Sequence, residues 1–206
     1  DVDISAQGIY SLPFKFGVID GNFICSNNNL TSMNNFPDRV NGRLECSEND
    51  IHDTSGCTKH IEGSLYLDRN SIEQLNCYNT KVYGNFYCYQ NRLIDLVGCP
   101  NKIGGQRFDF SRNNITNFEG FPEIYRDDFD INYSHNPVAT ILNLFAGEDR
   151  PEAISKLVEW EVIDSDNMEV SFHGLREVTD DLYMSWVPEY DNVILYFDTT
   201  EYTLID

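Results

Sequence analysis

Gly21-Asn22-Phe23-Ile24-Cys25-Ser26-Asn27-Asn28-Asn29-Leu30-Thr31-Ser32-Met33 is one unit of a pattern that returns every 21 residues along most of the chain. Glycines keep that beat at Gly21, Gly42, Gly63, Gly84 and Gly105. Asn28, Asn49, Asn70, Asn91 and Asn113 follow it with one added residue near Gly105, and Gln7 and Ser134 are read as the equivalent places at the two ends, which makes seven turns. Around each Asn the apolar residues recur: Phe23, Cys25, Leu30 and Met33; Leu44, Cys46 and Ile51; Leu65, Leu67, Ile72 and Leu75; Phe86, Cys88, Leu93 and Leu96; Phe108, Phe110, Ile115 and Phe118. The outer turns are read as Val2, Ile4, Ile9, Leu12 and as Phe129, Ile131, and a later apolar rung runs Ile19, Val40, Ile61, Val82, Ile103, Ile124. Periods of this length are the signature of a repeat architecture.

The motif L-x-L-x-x-N-x-L-x-x-L resembles the leucine-rich repeats, and the resemblance covers residues 1 to about 137. More narrowly, the wording of residues 21–33 is similar to repeat arrays of large tailed bacteriophages, whose units read G-x-F-x-C-x-x-N-x-L-T-S-L. That resemblance implies a leucine-rich-repeat solenoid, and the want of any catalytic motif in the residues themselves leads to the expectation that it is not an enzyme. The resemblance further implies a phage-encoded or bacterial interaction module binding a host or virion protein through its concave face, with inhibition of a host or defence protein as the expected outcome, in the bacterial host cytoplasm or on the virion.

The pattern also has a direct physical reading. Two apolar residues one apart make a short strand with both side chains inward, and the Asn amide then bonds backbone groups that no sheet or helix satisfies. Stacked at about 4.8 Å, seven turns build a parallel sheet roughly 30 Å long. Twenty-one residues leave little room for a helix opposite, so turns or short 3₁₀ pieces are expected there. Cys25, Cys46 and Cys88 occupy places filled by Leu67 and Phe110 in sister repeats, and Cys57, Cys77 and Cys99 fall near the rung of Phe36 and Phe121. All six are therefore expected to be inward, reduced core thiols.

From Pro137 the beat stops, dividing the chain into a solenoid over 1–136 and a small α+β C-terminal cap over 137–206. Val138, Ile141, Leu142 and Phe145 form a helical stripe before Gly147, and Pro151 opens a second helix with Ile154, Leu157, Val158 and Trp160. Met168, Val170 and Phe172 alternate as a strand, Leu175, Val178, Leu182 and Trp186 mark a third helix, and Val193 to Phe197 read as a buried strand. At the other end Val2 and Ile4 already look like a repeat strand, with neither an initiator Met nor a cap before them, so upstream residues are expected.

The 206 residues carry 14 Lys and Arg against 34 Asp and Glu, a formal charge of −20. This charge repels phosphate backbones and anionic lipid, excludes a nucleic-acid binder of the basic-patch kind, and leaves room for a partner with a basic surface. The acidity is uneven: residues 137–206 hold 16 acidic and 3 basic side chains, net −13, against 18 and 11, net −7, for 1–136. No apolar run approaches the roughly 20 residues of a membrane span, and the acidic start lacks signal-peptide regions.

Chemistry has little foothold. His52, His60, His135 and His173 are scattered, and no nucleophile, phosphate-binding or zinc motif is present. Asp128, Asp130 and Asn132 resemble the start of a calcium loop, but Tyr133 replaces the turn glycine and Ala139 the bidentate Glu. No metal or cofactor is assigned.

Strand alternation, in contrast, singles out a surface. The middle outward column reads Asp3, Ile24, Glu45, Tyr66, Tyr87, Asp109, Asp130, and the next Ser5, Ser26, Ser47, Asp68, Tyr89, Ser111, Asn132. Arg43, Arg107 and Asp128 lead them; Arg69, Arg112 and Tyr133 trail. A partner site is expected on Tyr66, Tyr87, Tyr89, Arg69, Arg107, Arg112, Glu45, Asp109, Asp130 and Tyr133, since exposed Tyr and Arg dominate interface energetics. Two rival readings remain: an acidic DNA-mimic inhibitor of a nucleic-acid-binding host protein acting through 137–206, and a structural virion component.

Overall fold

A computed structural model describes residues 1–123, 129–145, 150–182, 197 and 200–206. Its strands are two or three residues long and alternate between two sheets. In chain order they are β1 (Val2–Asp3), β2 (Val18–Ile19), β3 (Phe23–Ile24), β4 (Arg39–Val40), β5 (Leu44–Glu45), β6 (His60–Ile61), β7 (Leu65–Tyr66), β8 (Lys81–Val82), β9 (Phe86–Tyr87), β10 (Lys102–Ile103), β11 (Arg107–Asp109) and β12 (Asp130–Asn132). The odd-numbered strands and β12 form one seven-stranded sheet, and β2, β4, β6, β8 and β10 form a second of five. Every pairing in both is parallel. The chain is thus a parallel β-solenoid of about six turns, with turns, bends and the second sheet on the side opposite the first.

Strands this short are held only by their neighbours. Cys25 N–H donates to the Glu45 carbonyl at 2.8 Å, Cys46 N–H to Tyr66 at 3.0 Å and Leu67 N–H to Tyr87 at 2.8 Å. After each strand the backbone turns through a left-handed residue, Ala6, Asn27, Glu48, Arg69, Gln90, Arg112 or His135, with φ between 53° and 59°. The ladder Asn follows at once. Asn70 shows its work: its Oδ1 accepts the Ile51 N–H at 3.0 Å, while its Nδ2 donates to the carbonyls of Cys46, Leu67 and Asp68 at 3.0–3.2 Å. One side chain so ties two turns together, satisfying backbone groups whose isolation would each cost about 1–3 kcal/mol. The glycine beat has a steric cause. A Cβ on Gly84 would lie 2.6 Å from Gly63 C and Ser64 N, closer than van der Waals packing allows.

Inside, Phe23, Cys25, Leu30, Met33, Phe36 and Val40 are fully buried in a single turn, and Leu44, Cys46, Ile51 and Ile61, then Leu65, Leu67, Ile72, Leu75 and Val82, then Phe86, Cys88, Leu93 and Leu96 continue the same rows. Each large apolar side chain removed from water contributes about 1.5–3 kcal/mol.

Two sequence expectations change at the C-terminal end of the solenoid. β11 pairs with β12 as Phe108↔Ile131, a step of 23 residues, so Ile131 and Tyr133 stand opposite Phe108 and Phe110, while Phe129, expected opposite Phe108, is buried two residues earlier. Likewise the last ladder position belongs to Asn136, whose Oδ1 accepts the Ile115 N–H at 3.1 Å, and not to Ser134. Of the remaining expectations there, Ile124 and Asp128 lie outside the described residues.

Close contacts divide the chain into two units, Asp1–Asn114 with Gly120–His135, and Ile115–Glu119 with Asn136–Asp206. The second contains α1 (Ala139–Leu142), α2 (Arg150–Glu159), β13 (Ile163–Asp164), β14 (Glu169–Ser171), α3 (Phe172–Asp181) and β15 (Thr203–Ile205). β13 runs antiparallel to β14, and β14 parallel to β15. α3 starts at Phe172 because Ser171 caps it, its Oγ accepting the Gly174 N–H at 3.0 Å. That ends the strand one residue before the expected Phe172. Gly147, Trp186 and residues 193–196 lie outside the described residues; Phe197, expected as strand, has helical backbone. β15 was not anticipated from the sequence.

Candidate functional site

The outward face of the seven-stranded sheet carries the predicted residues on adjacent turns. Register aligns Glu45 with Tyr66, Tyr66 with Tyr87 and Tyr87 with Asp109. Because parallel neighbours superpose equivalent positions, Tyr66 and Tyr87 stack, centroids 4.7 Å apart and planes 11° from parallel. Both are half-buried. The Tyr87 hydroxyl accepts from Asn85 Nδ2 at 3.1 Å, which fixes the outer ring of the pair.

Tyr89 stands two residues along the same strand path, with the Arg69 guanidinium 5.5 Å over its ring. Arg69 also reaches Glu48 at 2.7 Å and Asp68 at 3.8 Å. Burial, then hydrogen bonding to Asp68, raises the Tyr89 phenol above its ordinary range, so it stays a neutral donor. Asp68 is only 3% exposed and accepts the Ser47 hydroxyl at 2.7 Å.

On the other flank Arg107 bridges Asp109 at 3.2 Å and Asp130 at 2.8 Å. Burial works against its charge, but the bond to Asp109 and the two carboxylates outweigh it and hold the guanidinium above its usual pKa. Asp109 further accepts the Ser111 N–H and hydroxyl at 3.1 and 2.7 Å and the Asn132 amide at 2.9 Å. Glu45 pairs with Arg43 at 3.0 Å. Arg112 is exposed at its left-handed corner and makes no ion pair among the described residues.

The structure corrects the expected site in two places. Tyr133 is not at a rim: it occupies the inward position of Phe110 and is 7% exposed, because the extra residues before β12 shift the register. Asp109, expected as a contact residue, is 6% exposed and spent on internal bonds. Asp68, Ser47 and Ser111 are also buried despite facing outward, since at 4.8 Å spacing long side chains from adjacent turns cover short ones.

A further face went unread. The second sheet aligns Val18, Arg39, His60, Lys81 and Lys102 as one outward column. His60 lies 5.0 Å from the Tyr83 ring, and Lys102 extends over the same ring at 5.8 Å. The 21-residue recurrence of basic residues just before the apolar rung was the available signal.

Protein-family models, curated proteins and solved structures give no match to the chain. Among the described residues no group of three or more His, Cys, Asp or Glu could hold a metal ion, and no helix is long and apolar enough to cross a membrane.

Proposed function

We propose that the chain is a leucine-rich-repeat protein–protein interaction module, phage-encoded as its repeat wording implies, that grips a host or virion protein through the outward face of its seven-stranded sheet. The observation that carries this reading is the Tyr66–Tyr87 stack: two half-exposed aromatic rings, immobilised by each other and by Asn85, on a scaffold where Ser would serve the fold. Rigid aromatics lose little entropy on binding and are the residues on which interface energy concentrates. Charged pairs at Arg69–Glu48 and Arg107–Asp130 frame them as a polar rim. The bound protein would be a host or defence protein that the module inhibits.

The rival reading, DNA mimicry by residues 137–206, rests on their net charge of −13. Affinity capture from bacterial lysate with mass spectrometry separates the two. A partner retained at high salt and lost when Tyr66, Tyr87 and Tyr89 become Ser supports the tyrosine face. A partner indifferent to the tyrosines and released steeply by salt overturns it in favour of mimicry.

A further inference from the structure

Arg39 and His60 are Cα partners on β4 and β6, and both meet one carboxylate. Glu62 Oε1 accepts from Arg39 Nη2 at 2.5 Å and lies 2.9 Å from His60 Nε2, so an acid placed one residue beyond β6 bridges two consecutive members of the basic column. The same three places return 42 residues on, as Lys81, Lys102 and Gly104. Lys81 and Lys102 are Cα partners on β8 and β10, as Arg39 and His60 are on β4 and β6, but the place of the acid is held by an exposed glycine. The exchange has a steric reason: a Cβ on Gly104 would stand 2.9 Å from the Tyr83 carbonyl oxygen. Both lysines are exposed, and neither makes an ion pair among the described residues, in a chain with 34 acidic side chains.

We propose that Lys81, Lys102 and Gly104 form a docking site for an acidic polypeptide segment of a partner protein, one of whose carboxylates lies over Gly104 and bridges the two ammonium groups as Glu62 bridges Arg39 and His60. Like charges directly opposite each other on a sheet are destabilising, so the fold gains nothing from Lys81 beside Lys102, whereas an anion set between them removes the repulsion. Charge-assisted bonds to a carboxylate are the strong ones available to such a pair. Tyr83 adds an apolar surface beside the charges. It is 41% exposed, Lys102 Nζ lies 5.8 Å over its ring, and the His60 ring is 5.0 Å away.

The net charge of −20 selects among anions. A phosphate polymer or an anionic bilayer carries its charge far beyond two lysines and meets the repulsion of the rest of the chain. A short acidic segment brings only a few charges, and these meet the site itself. The site belongs to the five-stranded sheet, so it is independent of Tyr66, Tyr87 and Tyr89 on the seven-stranded one.

The test follows the fluorescence anisotropy of a labelled hexaglutamate peptide titrated with the whole folded chain at about 0.05 M salt, with hexaglutamine and a single-stranded DNA oligonucleotide as comparison probes. Hexaglutamate should bind, and hexaglutamine should bind at least about tenfold more weakly. Lys81→Ser combined with Lys102→Ser should lower the hexaglutamate affinity by at least about tenfold. Lys59→Ser, which removes another exposed and unpaired lysine outside the group, should lower it by less than about twofold. The variant with Tyr66, Tyr87 and Tyr89 replaced by Ser should bind hexaglutamate as the parent does, which keeps a failure here distinct from a failure of the tyrosine face. No hexaglutamate binding by the parent at up to about 1 mM would overturn the inference. So would an affinity unchanged in the double lysine variant, an equal loss in Lys59→Ser, a loss in the tyrosine variant, or tighter binding of the DNA oligonucleotide.

Discussion

Tyr66 and Tyr87 lie ring on ring, 4.7 Å between centroids, on β7 and β9 of the seven-stranded sheet. The contact follows from register, because the parallel pairing puts the two Cα atoms side by side. Such a pair contributes about 0.5–1.5 kcal/mol beyond its area burial. That is modest for the fold and large for a partner that would meet an ordered surface.

Replacing Tyr66, Tyr87 and Tyr89 together by Ser should therefore weaken partner binding by thirtyfold or more, about 2 kcal/mol. The thermal midpoint should fall by only about 1–6 °C through loss of the stack. Calorimetric titration against the captured partner, with a thermal melt of the same sample, checks both. A variant that binds as tightly as the parent would refute the tyrosine face.

Asn70→Ala removes one acceptor and one amide from a site that serves four backbone groups on two turns. Urea unfolding should show a loss of about 3 kcal/mol or more, since carbonyls and an N–H are left without partners away from water. A loss under about 1 kcal/mol would mean that water replaces the amide freely.

Gly84→Ala and Gly17→Ala form a matched pair. The first would press a methyl group against Gly63 and Ser64 backbone at 2.6 Å, whereas nothing lies within 4 Å of the second. Gly84→Ala should cost about 2–4 kcal/mol and Gly17→Ala less than about 0.5 kcal/mol by urea midpoint. Equal effects would show that the glycine beat has some other cause than close approach of the turns.

Alkaline stability should depend on Tyr202, whose hydroxyl donates to the Thr116 carbonyl within the second unit. Burial, then the charge of Glu201, raises its pKa far above the ordinary value. Below about pH 10 the phenol is neutral in folded and unfolded chains alike, and its contribution is fully present. Above that pH only the unfolded state ionises, so stability declines as pH rises. Tyr202→Phe should cost about 1 kcal/mol at neutral pH and flatten part of the decline between pH 10 and 11.5. Urea titrations of both proteins at pH 7 and 11 measure the difference, which also subtracts the buried thiols.

The period of 21 determined the solenoid, its parallel strands and the inward places of Phe23, Leu44, Leu65, Phe86 and Phe108, because each turn repeats the same local requirements for side chain and backbone. It also put Tyr66, Tyr87 and Tyr89 on one face, since alternation in a strand is a property of the backbone. Tertiary structure decided everything that depends on what one turn lays over another. The two extra residues before β12 could be absorbed on either side of Ile131, and only pairing with Phe108 sends Tyr133 inward and brings Asn136 to the ladder. Asp68 and Asp109 are acidic by sequence and buried by the rings and guanidinium groups of their neighbours.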